Sequence, residues 1–342
     1  MTLEHPRPRR VLAVVLAHSV VVQAVVYVVR PATTYRAIEL GISPGWLGAL
    51  SASFAVAPLV LALPTGAILD RVGERRTAVV GSILVAAAAA VLAAMGDTVL
   101  ALALGSALLG LGQFCLVVAQ QTLVANCSPR AQYDRAFGWY TFAASLGQSI
   151  GPAALLFFPG AEAVPDTRAV FVTSAAGGVL LLFLSLAFGE PRAAVKIRHR
   201  AEAWGHLLQL PGLRRAMLTS CTVLAAVDIT LVYLPAPGAE RGIPAATIGL
   251  LLTLRGIASM TTRLFLGRLA QAIGRRRLLV GSTLVAAVSL SAAAFPLPLP
   301  LLAVLVVLVG LGLGAGQPIS LIWRVAAASS DPPKSPRWPA LS

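Results

Sequence analysis

The chain has 342 residues, of which 57% are hydrophobic and 12% are charged, and its mean hydropathy is +0.83. Soluble globular proteins carry about 25% charged residues, so this composition excludes an ordinary soluble protein. The net charge of +14 falls in short segments between apolar runs, which is typical of membrane topology and excludes a nucleic-acid-binding face.

Ten apolar segments in chain order are each long enough to cross a lipid bilayer, which takes about 20 helical residues. Their richness in Ala, Leu and Gly favours helices over a barrel of alternating strands. The first segment follows a basic N-terminus but has no clear cleavage site, so we interpret it as a retained helix. The sequence predicts an all-α polytopic membrane protein with spans at 11–29, 45–66, 77–95, 98–124, 136–158, 169–188, 216–236, 246–266, 278–295 and 299–322.

The distribution of basic residues predicts the orientation of these spans. Of the 27 lysines and arginines, 21 fall in the N-terminus, the C-terminus and the loops after spans two, four, six and eight. Two lie inside span eight, and the other four, assigned to the opposite loops, are Arg30, Arg36, Arg168 and Arg241. Positively charged loops stay in the cytoplasm, so we expect a multi-pass protein of the cell (plasma or inner) membrane with both termini cytoplasmic.

A long polar and basic segment divides the chain into two parts. We predict a six-helix bundle over 1–188, a cytoplasmic linker over 189–215, an incomplete four-helix bundle over 216–325 and a polar tail over 326–342. The two parts repeat each other, as parallel halves of known transporters do. Three glycines recur at an offset of 201, Gly-Ser-x-Leu-Val-Ala-Ala at 81–87 recurs at 281–287, and Gly-Leu-Gly-Gln at 110–113 has an echo at 314–317. The recurring glycines are Gly48, Gly66 and Gly73 with Gly249, Gly267 and Gly274.

The loop after span two resembles motif A of the major facilitator superfamily, a G-x-L-x-D-R-x-G-R-R pattern between helices two and three. The residues that carry the resemblance are Gly66, Asp70, Arg71, Gly73, Arg75 and Arg76, with a degenerate copy at Gly267, Arg268, Gly274, Arg275 and Arg276. The resemblance covers essentially the whole chain. It implies a two-bundle fold of twelve helices, of which this chain has ten, so we interpret it as a C-terminally truncated member.

Two roles are open for the charged residues of this loop. Asp70 lies at a helix end, where a carboxylate can cap a facing helix or pair with arginine, and we favour a latch that holds one conformational state. For Arg71, Arg75 and Arg76 a gating role and a purely topological role carry equal weight.

The fifth span contains a second family-like segment, with Gly147, Gly151 and Pro152. It resembles motif C, a G-x-x-x-G-P pattern typical of antiporters, although plain helix packing is a serious alternative. In span four, Ser106 occupies the region where many relatives carry an arginine that is linked to proton transfer. That departure argues against a standard proton-antiport mechanism.

Buried polar residues are the remaining site candidates. Asp228 is the one acidic residue in the middle of a span, and a carboxylate at that depth needs a cavity or a partner. We predict Arg255 as its partner and Arg263 as the second choice, and Asp228 either binds a proton or cationic substrate or forms a structural ion pair. His18 is either a proton relay or part of an interhelical hydrogen bond. Gln23 is a further polar candidate in span one, and glutamines in spans four, five and ten, among them Gln113 and Gln317, are predicted to line a central cavity.

No cofactor, metal or enzymatic motif is found in the sequence. Cys115, Cys127 and Cys221 have no metal-ligand or disulfide spacing, and nucleotide-binding and hydrolase motifs are absent. We therefore predict a non-enzymatic secondary active transporter of a small solute, a drug or metabolite exporter similar to the superfamily, with protons as the default coupling ion. The alternative is a truncated membrane protein without transport activity, acting as a scaffold or persisting as a relic. The oligomeric state is not predicted.

Overall fold

The computed structural model describes residues 8–129, 132–160, 163–188 and 225–328, without the side chains at 8, 9, 44, 57, 61–71, 134, 275, 276 and 316–328. Within these ranges the chain is helical and contains no strand, which confirms the all-α prediction. The helices are α1 (Pro8–Glu39), α2 (Pro44–Val72), α3 (Glu74–Met95), α4 (Val99–Cys127), α5 (Tyr133–Ala153), α6 (Thr167–Leu186), α7 (225–233 and, after Leu234, Pro235–Glu240), α8 (Ala245–Ile273), α9 (Arg275–Ala292) and α10 (Leu299–Ala328).

The helices have the lengths and surfaces of a multi-pass membrane protein. Five described helices are long and apolar enough to cross a bilayer, and three shorter apolar stretches accompany them. Large apolar side chains such as Leu59, Leu100 and Phe183 are more than half exposed. In water such faces would be costly, but in hydrocarbon they are the expected lipid-facing surface.

Helix α1 is longer than the sequence predicts. The expected span ends at residue 29, yet α1 continues to Glu39 and has Pro31 in its interior. Arg30 and Arg36, assigned to a loop, therefore lie in a helix. The correction has a physical reason, because both arginines find acidic partners, Arg30 with Asp228 and Arg36 with Asp97.

The internal repeat is present in the backbone geometry of the turns. Gly41 and Gly242, which are 201 residues apart, have φ values of 68° and 65°. Gly73 and Gly274, also 201 apart, both have φ of 86°. Glycine adopts positive φ without steric cost, so the same residue type closes the same turn in both parts of the chain.

The repeat also determines which residues of α4 and α10 correspond to each other. A side chain at Gly110 would meet the backbone of Phe54 on α2, and one at Gly310 would meet the backbone of Arg255 on α8. Phe54 and Arg255 are 201 residues apart, so Gly110 corresponds to Gly310. The predicted echo of 110–113 at 314–317 is thus wrong by one helical turn, and the structural counterpart begins at Gly310.

Helix contacts show how the chain packs. In the first part α3 packs on α4 and α6, α1 packs on α4, α5 and α6, and α2 packs on α4. In the last part α10 packs on α8 and α9. Contacts of α5 with α8 and of α1 with α7 join the two parts. The predicted linker 189–215 and most of the tail 326–342 lie outside the described residues, so the domain boundaries stay a prediction.

Candidate functional site

An ion pair connects the two parts of the chain inside the membrane-spanning region. Arg30 on α1 donates from Nη1 to a carboxylate oxygen of Asp228 on α7. Arg30 is 6% exposed and Asp228 is 36% exposed. The guanidinium carbon of Arg30 also lies 4.2 Å from the ring centroid of Phe54 on α2, so this arginine holds α1, α2 and α7 together.

This contact corrects the predicted partner of Asp228. Arg255 was expected in that position, but Arg30 occupies it, because α1 continues past residue 29 and brings a buried cation to the carboxylate. The sequence signal for Arg30 was that it directly follows span one, where the helix can continue. It was missed because the arginine and Pro31 together looked like the end of a helix.

Arg255 lies close to the ion pair and contacts an aromatic ring. It is 3% exposed, and its guanidinium carbon is 6.0 Å from the ring centroid of Tyr27 on α1. No carboxylate among the described residues is within ion-pair distance of Arg255, and its Nε has no hydrogen-bond partner there. The charges of Arg30 and Asp228 nevertheless act on Arg255, so the three ionic groups form one electrostatic cluster.

Arg263, the second predicted partner of Asp228, contacts a different helix. It donates from Nη1 to Oγ of Ser145 on α5 at 2.5 Å. Ten residues, or nearly three turns, toward the start of α8, Thr253 donates to the carbonyl of Ser149 on α5 at 3.1 Å. These two bonds, each between α8 and α5, hold the second part of the chain against the first.

A small pocket adjoins the ion pair. Its volume of about 20 Å³ is enough for about one water molecule. One cation, four hydroxyl side chains and five apolar side chains line it among the described residues: Arg30, Thr33, Thr34, Ser51, Ser106, Leu47, Leu50, Phe54, Leu109 and Val232. Helices α1, α2, α4 and α7 supply these residues, so the pocket lies between the two parts of the chain.

His18 belongs to a separate hydrogen-bond network within the first six helices. Its Nε2 lies 3.0 Å from Oγ of Ser185, which lies 2.9 Å from Oγ of Ser82. Its Nδ1 lies 2.6 Å from Nε2 of Gln120, and Tyr140 donates to Oε1 of Gln120 at 3.2 Å. Both ring nitrogens are engaged between α1, α3, α4, α5 and α6, so the geometry favours the interhelical hydrogen bond over the proton relay.

The predicted glutamine-lined cavity is divided in the structure. Oε1 of Gln23 accepts from Nε2 of Gln113 at 3.4 Å and from Nε2 of Gln148 at 3.5 Å. These three half-buried or buried side chains form a polar cluster between α1, α4 and α5, whereas Gln120 belongs to the His18 network. The side chain of Gln317 lies outside the described residues.

The family-like loop after α2 is partly described. Gly73 makes the turn, and Glu74, which is 6% exposed, accepts from Nδ2 of Asn126 at 2.6 Å. Sequence reasoning missed this bond between α3 and α4. Arg75 is half-buried and Arg76 is exposed, while the side chains of Asp70 and Arg71 lie outside the described residues, as do those of Arg275 and Arg276 in the second copy. Gly66 lies in α2, and Gly267 and Arg268 are exposed on α8.

The glycines of the motif C-like segment bring α5 close to α1. A side chain at Gly147 would meet the backbone of Val20, and one at Gly151 would meet the backbone of Ala24. On the other face of α5, the carbonyl of Pro152 lies where a side chain at Gly249 of α8 would be. The segment therefore has a packing role between α1, α5 and α8, and a role in antiport stays a prediction.

Several contacts that join the two parts lie toward one end of the helices. We call this end the α1–α2 side, after the loop at residues 40–43. The contact of Gly48 with Tyr233 and the contact of Pro152 with Gly249 lie near it, and the ion pair engages Arg30 in the last third of α1. The two parts are therefore in contact on the α1–α2 side.

Comparison with known proteins gives one family and several related folds. The model of the Major Facilitator Superfamily matches residues 15–236 and 216–331. No curated protein matches the chain.

Three solved structures have a similar fold at 14–15% sequence identity. A D-xylose–proton symporter aligns with a TM-score of 0.70 at 14% identity over 92% of this chain and 82% of its own. A mutant of the nucleoside transporter NupG gives 0.69 at 15%, over 92% and 85%. A bacterial homolog of the human lysosomal transporter Spinster, inward-facing and unoccupied, gives 0.72 at 15%, over 94% and 78%.

Proposed function

The chain belongs to the Major Facilitator Superfamily of secondary transporters, and on that premise we propose that it exports a small solute, a drug or metabolite, by alternating access. The ion pair between Arg30 and Asp228 carries this proposal. It joins α1 to α7 beside a partly polar pocket, and ionisable groups at membrane depth are costly, rare and typical of transport pathways or coupling sites.

The charge state of Asp228 supplies a means of coupling. When ionised, the carboxylate attracts Arg30 in a low-dielectric setting and holds α1 against α7. When protonated, it loses that attraction, and the contact between the two parts weakens. A proton that binds at Asp228 therefore favours opening on the α1–α2 side, which makes the proton our proposed coupling ion.

The loop with Asp70, Gly73 and Arg75 is the proposed latch on the opposite side. Opening on the α1–α2 side requires closure at the other end, where this loop and its copy near Gly274 lie. The sharp turns at Gly73 and Gly274 set the direction in which α3 and α9 begin at this end of the helices.

The proposal is tested by flux in proteoliposomes that contain the purified protein. A panel of sugars, nucleosides, organic acids and amines is applied with an imposed pH gradient, and proton movement is followed with an entrapped dye. We expect at least one solute to drive proton flux, and Asp228→Asn to abolish it while the protein still elutes as a folded species. Glu240→Gln is the matched control, because it removes an exposed carboxylate from the same helix.

The outcomes separate the two candidate functions. Full solute-driven flux in Asp228→Asn would show that this carboxylate has no coupling role. If the unmodified protein supports no flux with any solute in the panel, the alternative, a membrane scaffold without transport activity, is favoured.

A further inference from the structure

Two buried guanidinium groups carry N–H donors that no acceptor in the described residues satisfies. They are Nη2 of Arg30 and Nε of Arg255, in side chains that are 6% and 3% exposed. A buried donor without an acceptor costs about 1–3 kcal/mol, and more in a charged group. Native folds pair nearly all such donors with protein, water or ligand, so these two point to an oxyanion ligand.

The charge balance of the cluster supports the same ligand class. Arg30 and Arg255 contribute two positive charges, and Asp228 contributes one negative charge. Arg263 adds a further cation on α8, close enough for its charge to act on Tyr27. No carboxylate lines the neighbouring pocket among the described residues. A solute with one negative charge would neutralise the excess of Arg30 and Arg255 over Asp228.

Aromatic rings lie beside both arginines. Phe54 contacts the guanidinium of Arg30, and Tyr27 faces that of Arg255. An organic anion has an apolar body as well as a charged group, and Phe54, which lines the pocket, offers it a surface while Arg30 offers hydrogen bonds.

We infer that the pocket between α1, α2, α4 and α7 binds the oxyanion group of an organic anion, with Arg30 as its donor in the pocket and Arg255, beside Tyr27 and outside the pocket lining, as a second buried cation. The inference rests on the proposed function and names its substrate class. It argues against a cationic drug, since that solute would add to the positive charge. The pocket holds about one water in this conformation, so the anion enters when α1 and α7 separate.

The test compares two probes that share a ring and differ in charge. Benzoate and benzylammonium are titrated against the purified protein in a neutral detergent at constant ionic strength, and the unfolding temperature is measured. We expect benzoate to raise the unfolding temperature with a saturating dose response, and benzylammonium to have no effect. Inorganic phosphate serves as a second oxyanion.

Three variants locate the site. Arg255→Gln should weaken benzoate binding at least tenfold, because it removes one of the two positive charges that attract the anion. Asp228→Asn should retain benzoate binding or strengthen it, because it removes the anion that competes for Arg30. Arg168→Gln is the matched control, an exposed arginine on α6 whose loss should leave binding unchanged. If Arg255→Gln does not fold, the comparison of the two probes on the unmodified protein decides.

The remaining outcomes overturn the inference. It is wrong if benzylammonium stabilises the protein as well as benzoate does, or if neither benzoate nor phosphate stabilises it. It is also wrong if stabilisation requires phosphatidylglycerol added to the detergent and free anions have no effect, since the arginines would then hold a lipid headgroup. Binding is measured without a gradient, so a protein that binds benzoate but shows no flux would contradict the proposed function alone.

Discussion

Arg30 and Asp228 differ in burial, and this difference determines what each contributes. Arg30 is 6% exposed and Asp228 is 36% exposed. Removal of the carboxylate leaves a buried cation without a counter-charge, which is the more costly way to break such a pair. Removal of the arginine leaves a carboxylate that is only partly buried.

We therefore predict that Asp228→Asn lowers the free energy of unfolding more than Arg30→Gln does. Loss of one partner of a fully buried pair costs about 3–5 kcal/mol, and for Asp228, which is about a third exposed, we expect about 1–3 kcal/mol. The double variant should be more stable than Asp228→Asn alone. Unfolding temperatures of the unmodified protein, the two single variants and the double variant give the coupling between Arg30 and Asp228. Strictly additive effects of the two substitutions would contradict the prediction.

A second prediction at this scale concerns His18. We expect His18→Leu to lower the unfolding temperature, because Nε2 of Gln120 loses its buried partner, at about 1–3 kcal/mol for a group left unsatisfied, while Ser185 keeps Ser82. The flux per folded molecule should stay unchanged. A loss of proton-driven flux without loss of stability would restore the proton-relay interpretation.

The sequence identified some of these residues and not others for a definite reason. Asp228 stands out because a carboxylate interrupts an apolar run. Arg30 does not, because a charge at the end of an apolar run looks the same whether the helix stops there or continues. Its pairing depends on an approach of α1 to α7 that local hydropathy does not encode.

At the scale of elements, glycines determine how closely the helices approach. Gly147 and Gly151 are four residues apart on one face of α5 and lie against the backbone of α1. Small residues at this spacing let membrane helices pack closely where lipid offers no hydrophobic driving force. The spacing of these glycines could be recognised in the sequence, but the helix that they contact could not be predicted from it.

We predict that Gly151→Val destabilises the protein by about 1–3 kcal/mol, because the added atoms would overlap the backbone of Ala24 and push α1 from α5. Gly138→Val on the same helix is the control, since a side chain at Gly138 meets nothing within 4 Å. Both are compared by unfolding temperature and by yield of monodisperse protein. Equal stability of the two variants would show that α1 and α5 adjust without cost.

Turns were predicted better than helix ends. The repeat of Gly73 at Gly274 was visible in the sequence, and both glycines have positive φ. By contrast, α1 extends ten residues past its predicted end, because its last turns are held by Arg30 and by Arg36, which donates from Nε to the carbonyl of Gly96 at 3.3 Å. Turn chemistry is local, whereas these helix ends depend on distant partners.

At the scale of the whole molecule, the contacts between the first six helices and α7–α10 must part on one side for a solute to pass. Gly256 on α8 faces Ser149 on α5, and a side-chain carbon at Gly256 would lie 3.2 Å from Cβ of Ser149. That separation is slightly below the range of about 3.5–4.5 Å for a disulfide, and the same carbon would lie 3.0 Å from Cα of Ser149, so a disulfide here requires α5 and α8 to move apart by a few tenths of an ångström.

We predict that Ser149→Cys/Gly256→Cys, in a background with Cys115, Cys127 and Cys221 replaced by serine, forms a disulfide on oxidation and loses solute-driven flux. Reduction should restore the flux. Ser149→Cys alone is the control and should not respond to oxidant. Undiminished flux with the disulfide fully formed would mean that α5 and α8 do not separate during transport.

The volume of the pocket also bears on how tightly ion movement and solute movement are tied together. With room for about one water, this pocket is too small for a file of waters along which protons could hop. A transporter without bound solute that passes between its two states with this pocket unexpanded carries almost no water across the membrane. The membrane potential of the cell would then be dissipated slowly in the absence of solute, and the resting conductance of vesicles containing this protein should stay near that of plain lipid.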